Sequence, residues 1–367
     1  MTKHEAYIAL NLMEGIGPVK VRALVQALGS VEAVFDAGRQ DLLQADGIGH
    51  KLAESILAQA GTLDPAGEEA RTEKLGAHIV TQIDPRYPDI LKEIHDPPIA
   101  LYVMGELKPQ DKHSIAVVGS RKISHYGRQV ADRLSFQLGK LGYTVVSGLA
   151  RGIDTAAHMG ALKAKGRTIA VLGSALDCLY PTENEELAHR IVESGAVISE
   201  FPLGTQPNKS TFPKRNRIVS GLSMGVLVVE AARGSGAMIT VDEANAQGRL
   251  VFAVPGRIDM PGFSGCHSLI KNGATLVEDV DDITRDFEYL IPPNAENRED
   301  PEYAKPTPRL NANEERILAC VPKGDSIGVD QLIRESKVGS GKVNALLIGL
   351  EMKRLVRMLP GRRIERL

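Results

Sequence analysis

A doubly wound α/β fold, with a mostly parallel β-sheet covered by helices on both faces, is predicted by three features of the sequence. Six apolar runs rich in Val, Ile and Ala occur between positions 115 and 254, and stretches with helical spacing of apolar residues separate them. The runs are nearly continuous in apolar residues, as expected for strands that are buried on both faces. The runs are IAVVG at 115, TVVSG at 144, TIAVLG at 168, AVIS at 196, GVLVV at 225 and LVFAV at 250. Functional residues are therefore expected at the carboxyl ends of these strands.

The composition predicts a globular chain of several domains. The chain has 367 residues, of which 43% are apolar and 25% charged, and a domain takes about 100 to 200 residues. Because the formal charge is −2, any nucleic acid must be met by a local basic patch. The three cysteines form no CxxC pair, and no apolar run is long enough for a transmembrane helix. A cytoplasmic location without membrane insertion is expected.

A short internal duplication marks residues 1–62. Gly15-Ile16-Gly17 recurs as Gly47-Ile48-Gly49, and each copy lies between two stretches with helical spacing. Glycines allow the backbone of such a hairpin to approach a phosphate closely. An all-α helix-hairpin-helix or SAM-like module is therefore predicted. Because few basic residues lie nearby, direct DNA contact and simple packing of the turns are both left open.

Two segments are interpreted as connections. Residues 63–111 contain two strand-like runs, at 77–81 and 100–103, and are predicted to be a connector that extends a central domain of residues 63–288. Residues 289–308 contain five prolines and many charges without periodicity, which is typical of a linker.

Residues 309–367 resume a helical pattern. Three helical stretches are followed by a strand-like pair around Val356 and Ile364, which predicts a winged helix. Basic residues outnumber acidic ones here, as suits DNA but also a solvated face. Contact with DNA and contact with protein are therefore both open for this module.

The loops that follow successive strands carry glycine, hydroxyl and basic residues, and they lack paired carboxylates. Glycine turns expose backbone N–H groups, and an arginine can bind a phosphate with two donors. Asp154 is expected to cap the helix after the second strand. The candidate anion-binding residues in these loops are Gly119, Ser120, Arg121, Lys122, Ser147, Gly148, Arg151, Gly234, Ser235 and Gly236.

The segment 201–217 is predicted to be a loop with a specific function. Its part from 209 to 217 holds four basic residues and no acid, and Phe212 stands among them. In a chain with 4% aromatic residues, a ring between cations is typical of a base-stacking platform among phosphate contacts. The alternative is a solvated charge run with Phe212 buried in the core. The base-stacking platform is favoured because three other anion-binding loops are expected at the same edge of the sheet.

The motifs of common enzymes are incomplete. The next glycine after Gly119 is Gly127, which breaks G-x-G-x-x-G, and Ser147-Gly148 stands where a dinucleotide fold needs an acidic residue. The nine histidines include no HExxH and no pair at metal-ligand spacing. No cofactor, no metal and no catalytic residue are therefore expected.

Six ordered blocks of the central domain carry a family resemblance: GSRKISHYG, SGLARGIDTAAH, LDCLYPTEN, SEFPLGTQPNKSTFPKRNRIVSGLS, EAARGSGAMIT and GRLVFAVPG. Together they resemble the DprA (Smf) family, the single-stranded-DNA-binding recombination mediators of natural transformation. The resemblance implies an extended Rossmann-like domain that binds single-stranded DNA in a basic pocket, forms a homodimer and helps to load a RecA-type recombinase onto the strand, without nucleotide hydrolysis. The helical modules at both ends fit the longer members of the family.

The resemblance also implies roles for individual residues. Arg121 and Lys209 would hold phosphates, and Phe212 would contact a base. Arg215 and Arg217 would supply positive charge or structure. The pocket would be lined by Gly119, Ser120, Ser147, Gly148 and Asn216.

Two other functions remain as alternatives. A nucleotide-processing enzyme of the phosphoribohydrolase type is suggested by the glycine turn at 233–236, with Glu243 as its one obvious carboxylate. Release of ribose from nucleoside monophosphates would identify it. A regulator that reads duplex DNA is suggested by the C-terminal helices, although Lys342 is the one basic residue of the apparent recognition segment 338–350. Preference for duplex over single strands would identify this second alternative.

Overall fold

A nine-stranded β-sheet organises the first of two compact units, Met1–Arg298 and Glu299–Leu367. The computed structural model describes residues 1–287, 310–322, 326–336, 338–353, 355–359, 361 and 363–366. The predicted linker 289–308 lies outside the described residues. The predicted boundary between residues 62 and 63 falls inside the first unit and stays a prediction.

The sheet is mostly parallel. Its strands are β1 Ala77–Thr81, β2 Ala100–Gly105, β3 Ser114–Val118, β4 Thr144–Ser147, β5 Thr168–Val171, β6 Ala196–Ser199, β7 Gly225–Val228, β8 Leu250–Ala253 and β9 Thr275–Leu276. Their order across the sheet is β1-β2-β6-β5-β4-β3-β7-β8-β9. In this spatial order, all neighbouring strands from β6 across to β9 are parallel. At the other edge β1 pairs antiparallel with β2, and β2 pairs antiparallel with β6. The chain reverses its direction of winding between β3 and β7, so a ligand site is expected there, at the carboxyl ends of the strands.

Helices cover both faces of the sheet. The longer ones are α8 His125–Lys140, α9 Ile153–Lys163, α10 Glu185–Ser194, α11 Thr211–Gly221, α12 Gly236–Ala246 and α13 Ser264–Lys271, with short α7 Asp89–Lys92 and α14 Asp281–Thr284. Ile115 and Val117 of β3 pack against α8 and α9, whereas Ala116 and Val118 pack against α11 and α12 on the other face. This alternation within one apolar strand is the reason why its sequence is continuously apolar.

Six helices precede the sheet, and the first five pack around a shared apolar core. They are α1 Lys3–Leu12, α2 Pro18–Leu28, α3 Ala33–Asp36, α4 Arg39–Leu42, α5 His50–Ala60 and α6 Pro65–Lys74. Gly15 and Gly47 have φ angles of 81° and 72°, in the region that favours glycine. Gly17 and Gly49 are the N-caps of α2 and α5. The duplicated tripeptide therefore makes the same turn into a helix twice.

The segment 63–111 belongs to the sheet. The two predicted strands are present as β1 and β2, and β2 pairs with β6. The sequence pattern missed α6 because even its buried positions, Glu68 and Thr72, are polar. Tyr102 of β2 and Ile8 of α1 share an apolar cluster, so the N-terminal helices pack against this edge.

The second unit is a small helical fold with a three-stranded sheet. It contains α15 Ala312–Cys320, β10 Ser326–Gly328, α16 Val329–Ser336, α17 Ser340–Met352, β11 Val356–Leu359 and β12 Arg363–Arg366. The sheet order is β10-β12-β11, all antiparallel. The three helices and the closing hairpin agree with the predicted winged helix.

Candidate functional site

A cavity of about 540 Å³ lies at the carboxyl ends of β3, β4 and β7, at the point where the winding reverses. Four segments that are distant in sequence contribute to it. Of the predicted residues, the cavity is lined by Gly119, Ser120, Arg121, Lys122, Gly148, Lys209, Phe212, Arg215, Asn216, Ser235 and Gly236. The structure thus brings together most of the predicted residues.

The loop from Gly119 to Ser124 is fixed by Glu230, a residue that the sequence analysis did not select. The backbone N–H of Ser120 donates to the Glu230 carbonyl oxygen at 2.7 Å. The buried Glu230 carboxylate accepts from the N–H and the hydroxyl of Ser124, the hydroxyl at 2.7 Å. Its position directly after β7 is the sequence signal that could have identified it. Glu230 therefore holds the loop in place while Arg121 and Lys122 stay exposed.

Phe212 lies in the first turn of α11, so the prediction of a loop over 201–217 is wrong for its second half. The ring is half-buried and packs on the backbone of Gly173, where a Cβ would lie 2.6 Å from the ring. The Arg121 guanidinium carbon lies 5.1 Å from the ring centroid, within the range of a cation–π contact. The ring is thus part of the cavity wall, with a cation above it.

Lys209 lies in the turn that leads into α11. The Asn208 side-chain oxygen accepts from the N–H groups of Ser210 and Thr211, at 2.8 and 3.1 Å. Lys209 itself is exposed. It forms no salt bridge within the described part of the chain. Its ammonium group is therefore available to an anion in the cavity.

Arg215 is buried, and its side chain donates hydrogen bonds to backbone carbonyl oxygens. One terminal nitrogen donates to the carbonyl oxygens of Gly148 and Val171 at 2.5 and 2.6 Å, and burial lowers the pKa of its guanidinium. A Cβ on Gly148 would lie 1.9 Å from this nitrogen. Arg215 therefore holds the turn after β4, and glycine is needed there for a close approach.

Asp154 does not cap a helix, contrary to the prediction. Gly152 is the N-cap of α9, and the Asp154 carboxylate accepts from the N–H groups of Gly148 and Ala150, at 3.1 and 3.3 Å. Burial raises the pKa of this carboxyl group, and the neighbouring Arg215 opposes the shift. Asp154 and Arg215 thus fix the same turn from two sides.

Four of the predicted residues lie outside the cavity lining. Ser147 is fully buried and donates to the Val117 carbonyl oxygen at 2.6 Å. Arg217 is buried and paired with Glu200 and Asp96, at 2.5 and 2.9 Å. Arg151 is exposed and bound to Glu183, and Gly234 lies at the exposed turn before α12. Sequence patterns cannot distinguish a buried ion pair from a surface cation, so Arg217 and Lys209 look alike in the sequence.

The electrostatics of the cavity favour an anion. Among the described lining residues, three exposed cations stand against a single carboxylate, that of the buried Asp154. The N-terminus of α12, an eleven-residue helix, adds backbone donors at Gly236. Glu243, the carboxylate required by the phosphoribohydrolase alternative, is not among the described residues that line the cavity. No group of His, Cys, Asp and Glu in the described part of the chain could hold a metal ion.

Comparison with known families gives a match over the whole sheet domain. The family model described as DNA recombination-mediator protein A matches residues 78–288. The chain belongs to this family. A SAM-like helix-hairpin-helix tandem matches residues 8–62, and the DprA winged helix domain matches residues 301–362. The predicted family resemblance and fold class are confirmed.

Members of the recombination-mediator family from several bacteria are similar over most of the chain. Protein Smf of Synechocystis sp. is 34% identical over 98% of both chains. Protein Smf of Escherichia coli is 40% identical over 79% of this chain and 77% of its own. DNA processing protein DprA of Streptococcus pneumoniae is 46% identical over 56% of this chain and 73% of its own.

Two solved structures of the family resemble this fold. The X-ray structure of DprA from Streptococcus pneumoniae aligns with a TM-score of 0.68 and 35% identity, over 78% of this chain and 98% of that chain. DNA processing protein A from Helicobacter pylori, whose structure is described for a unique single-stranded DNA binding mode, aligns with a TM-score of 0.53 and 28% identity, over 59% and 97%. Within the described residues, the helices are all too short or too polar to cross a membrane.

Proposed function

We propose that this protein binds single-stranded DNA without sequence specificity in the cavity at the β3–β7 edge. The observation that carries the proposal is the grouping of Arg121, Lys122 and Lys209, all exposed, around the half-buried ring of Phe212. Cations beside an aromatic wall suit a backbone of phosphates with unpaired bases. The single-stranded DNA binding mode described for the Helicobacter pylori relative supports the same ligand.

The residues divide into contacts and supports. Arg121 and Lys209 hold phosphates, and movement of Arg121 onto a phosphate uncovers the Phe212 ring for a base. Lys122, Ser120 and the N–H groups at Gly119, Ser235 and Gly236 add donors. Ser147 and Arg215 are supports that donate to backbone carbonyl oxygens, and Gly148 allows the close approach of Arg215. Arg217 is a support through its buried ion pairs, and the Asn216 side chain donates to the Gly236 carbonyl oxygen at 3.4 Å.

The proposed cellular role is that of a recombination mediator. The family description names a recombination mediator, and the loading of a RecA-type recombinase onto the bound strand rests on the family resemblance. Formation of a homodimer rests on the family resemblance, and light scattering measures it directly. The cytoplasm is the proposed location, since the three cysteines are all free. We further propose that the protein carries out no catalysis.

A binding titration tests the proposed ligand. Matched single-stranded and duplex oligonucleotides of several sequences are titrated at four salt concentrations. We expect tighter binding of single strands, little dependence on sequence, and a log–log salt slope of about −0.7 for each phosphate neutralised. A flat salt response, or binding that follows one sequence, contradicts the proposal.

A second measurement separates the mediator from the enzyme. Glu243 is half-buried, and burial raises the pKa of its carboxyl group, as in some catalytic acids. Glu243→Gln should leave DNA affinity unchanged, and no release of ribose from nucleoside monophosphates should be seen before or after the change. Cleavage that this substitution abolishes contradicts the proposal.

A further inference from the structure

Tyr180 stands beside Phe212 at the edge of the DNA cavity. The two ring centroids lie 6.0 Å apart, with an angle of 51° between the ring planes. Tyr180 belongs to the loop after β5 and is 38% exposed. Large exposed aromatic rings are rare in this chain, since only 4% of its residues are aromatic. The two rings form a ridge, here called the aromatic ridge, of Phe212 and Tyr180.

The aromatic ridge separates two cavities. Phe212 lines the first cavity, of about 540 Å³, and Tyr180 lines a second one of about 500 Å³. Both rings line a crevice between the cavities, and its volume is only about 20 Å³. A space of that size holds about one water molecule. A base therefore cannot lie between the rings, and the side of Tyr180 towards the second cavity is the one that can take a base.

The chemistry of the second cavity suits a base better than a phosphate. Apolar side chains form much of its wall, including Met104, Leu179 and Val197. Its charged side chains include the carboxylates of Asp177 and Glu185, which repel a phosphate. The side-chain amide of Gln206, which can both donate and accept hydrogen bonds, also lines the second cavity. Apolar walls with a few polar groups are typical of sites for flat organic ligands.

A cation lies at the crevice beside Tyr180. Arg151 lines the crevice and is bound to Glu183, with nitrogen–oxygen distances of 2.7 and 2.8 Å. Both side chains are more than half exposed, and exposed ion pairs add little stability. The Arg151 guanidinium can therefore leave the Glu183 carboxylate and bind a phosphate at little cost in free energy. In the same way, Arg121 can leave the Phe212 ring and bind a phosphate.

We propose that Tyr180 is a second base-stacking residue, which binds a base of the same DNA strand on the side of the ridge away from Phe212, with Arg151 on the intervening backbone. The inference rests on the proposed binding of single-stranded DNA. Bases in a stacked strand are spaced about 3.4 Å apart, and the ridge is wider than that spacing. The strand that crosses it is held unstacked, so the ridge also selects against duplex DNA.

Photochemical crosslinking tests the position of the bases in the unaltered protein. A single-stranded oligonucleotide with 5-iododeoxyuridine is irradiated in the complex, and the protein is cut after Lys and Arg. Tyr180 is the one aromatic residue of the fragment 168–190, and Phe212 is the one aromatic residue of the fragment 210–214. We expect adducts on both fragments. An adduct on 210–214 without one on 168–190 overturns the inference and leaves the proposed function intact.

Variants give the second measurement. Tyr180→Leu should weaken binding of single strands about tenfold, within the range measured for base–aromatic stacking, at the salt slope of the parent. Tyr180→Phe keeps the ring and should bind like the parent. Tyr126→Leu changes an equally exposed ring outside both cavities, and it is the matched control. Arg151→Gln should lower the salt slope by about 0.7.

The outcomes separate the inference from the proposed function. If Lys209→Glu abolishes binding and Tyr180→Leu binds like Tyr126→Leu, the second subsite is wrong and the first one stands. If neither Lys209→Glu nor Tyr180→Leu changes binding, the proposed function itself is wrong. Thermal melting of each variant shows whether it is folded, and the crosslinking result decides the matter if Tyr180→Leu is unstable.

Discussion

Lys209 and Arg215 lie six positions apart in the sequence but differ in their surroundings. Lys209 is exposed in a turn, whereas Arg215 is buried with its donors on backbone carbonyl oxygens. A buried arginine holds its surroundings in place, because each of its bonds replaces contacts with water that burial removed. In the proposed site, the basic segment thus supplies a DNA contact from its turn, Lys209, and a structural support from its helix, Arg215.

Substitutions at Lys209 and Phe212 separate phosphate binding from base stacking. Lys209→Ala should lower the salt slope by about 0.7, one phosphate, and Lys209→Glu should weaken binding further because it places a negative charge beside the strand. Phe212→Ala should cost about 1 to 3 kcal/mol of binding free energy at an unchanged slope. Affinity, salt slope and melting temperature are measured for all three. Parental affinity of Lys209→Glu, together with a lower melting temperature of Phe212→Ala, would support the alternative of a solvated loop and a core residue.

The buried side chain of His158 makes the free energy of unfolding depend on pH. It is fully buried, and burial lowers its pKa from 6.5 to about 3. The Thr168 hydroxyl donates to the Val145 carbonyl oxygen, so its oxygen accepts from the Nδ1–H of His158 at 2.7 Å, and the ring is neutral. The unfolded chain binds a proton on His158 more tightly than the folded chain does. The contribution of His158 to the free energy of unfolding is therefore fully present above pH 6.5 and is lost as the pH falls towards 3. Between pH 7.5 and 5 it amounts to about 2 kcal/mol.

His158→Gln tests this origin of the pH dependence. The variant should lose about 2 kcal/mol less unfolding free energy than the parent between pH 7.5 and 5, as measured with denaturant. His189→Gln, at an exposed histidine of α10, is the control and should keep the parental dependence. Equal pH dependence of all three proteins would refute the assignment.

At the scale of elements, the strands were predictable and several helices were not. The six apolar runs are β3 to β8, because burial on both faces leaves an unmistakable pattern. The sequence predicts a loop up to residue 217, about two turns into α11, since Thr211, Pro213 and several charges stand where an apolar face is expected. Its inward side uses Arg215 and Asn216, which look polar in sequence although they are buried. The role of Asp154 depends on a contact with another turn, which no local pattern contains.

Helix α6 supports the segment that leads to Lys209. Glu68 is fully buried, and one of its carboxylate oxygens accepts from the Leu203 N–H and the Tyr102 hydroxyl, both at 2.9 Å. The other oxygen is paired with Arg71. The N-terminal helices thus hold the chain six residues before Lys209.

Glu68→Gln should therefore affect both stability and DNA binding. The amide cannot accept all three donors, and an unsatisfied buried group costs about 1 to 3 kcal/mol. Denaturant unfolding and a single-strand titration measure the two effects. Glu73→Gln changes an exposed glutamate of the same helix and is the matched control. If both variants behave alike, α6 has no influence on the site.

At the scale of the whole molecule, the two units have separate apolar cores. Ile317, Leu332 and Leu347 belong to the core of the second unit. Among the residues that the structure describes, the four cores of the first unit include none beyond Phe287. The division could be predicted because a proline-rich stretch interrupts all periodicity. The edge pair of β1 and β2 was harder to place, because strand order across a sheet depends on pairing between distant segments.

Because the cavity is assembled from four distant segments, the proposed DNA ligand would bind the folded state alone. No contiguous piece of the unfolded chain carries the site, so binding shifts the folding equilibrium by mass action. At a strand concentration of about 100 times Kd the shift is about 2.7 kcal/mol, which for the unit Met1–Arg298 raises Tm by about 4 °C. Calorimetry with increasing oligonucleotide measures this. In a cell, unbound protein would therefore be the form that proteases remove first, so its amount would follow the supply of single strands.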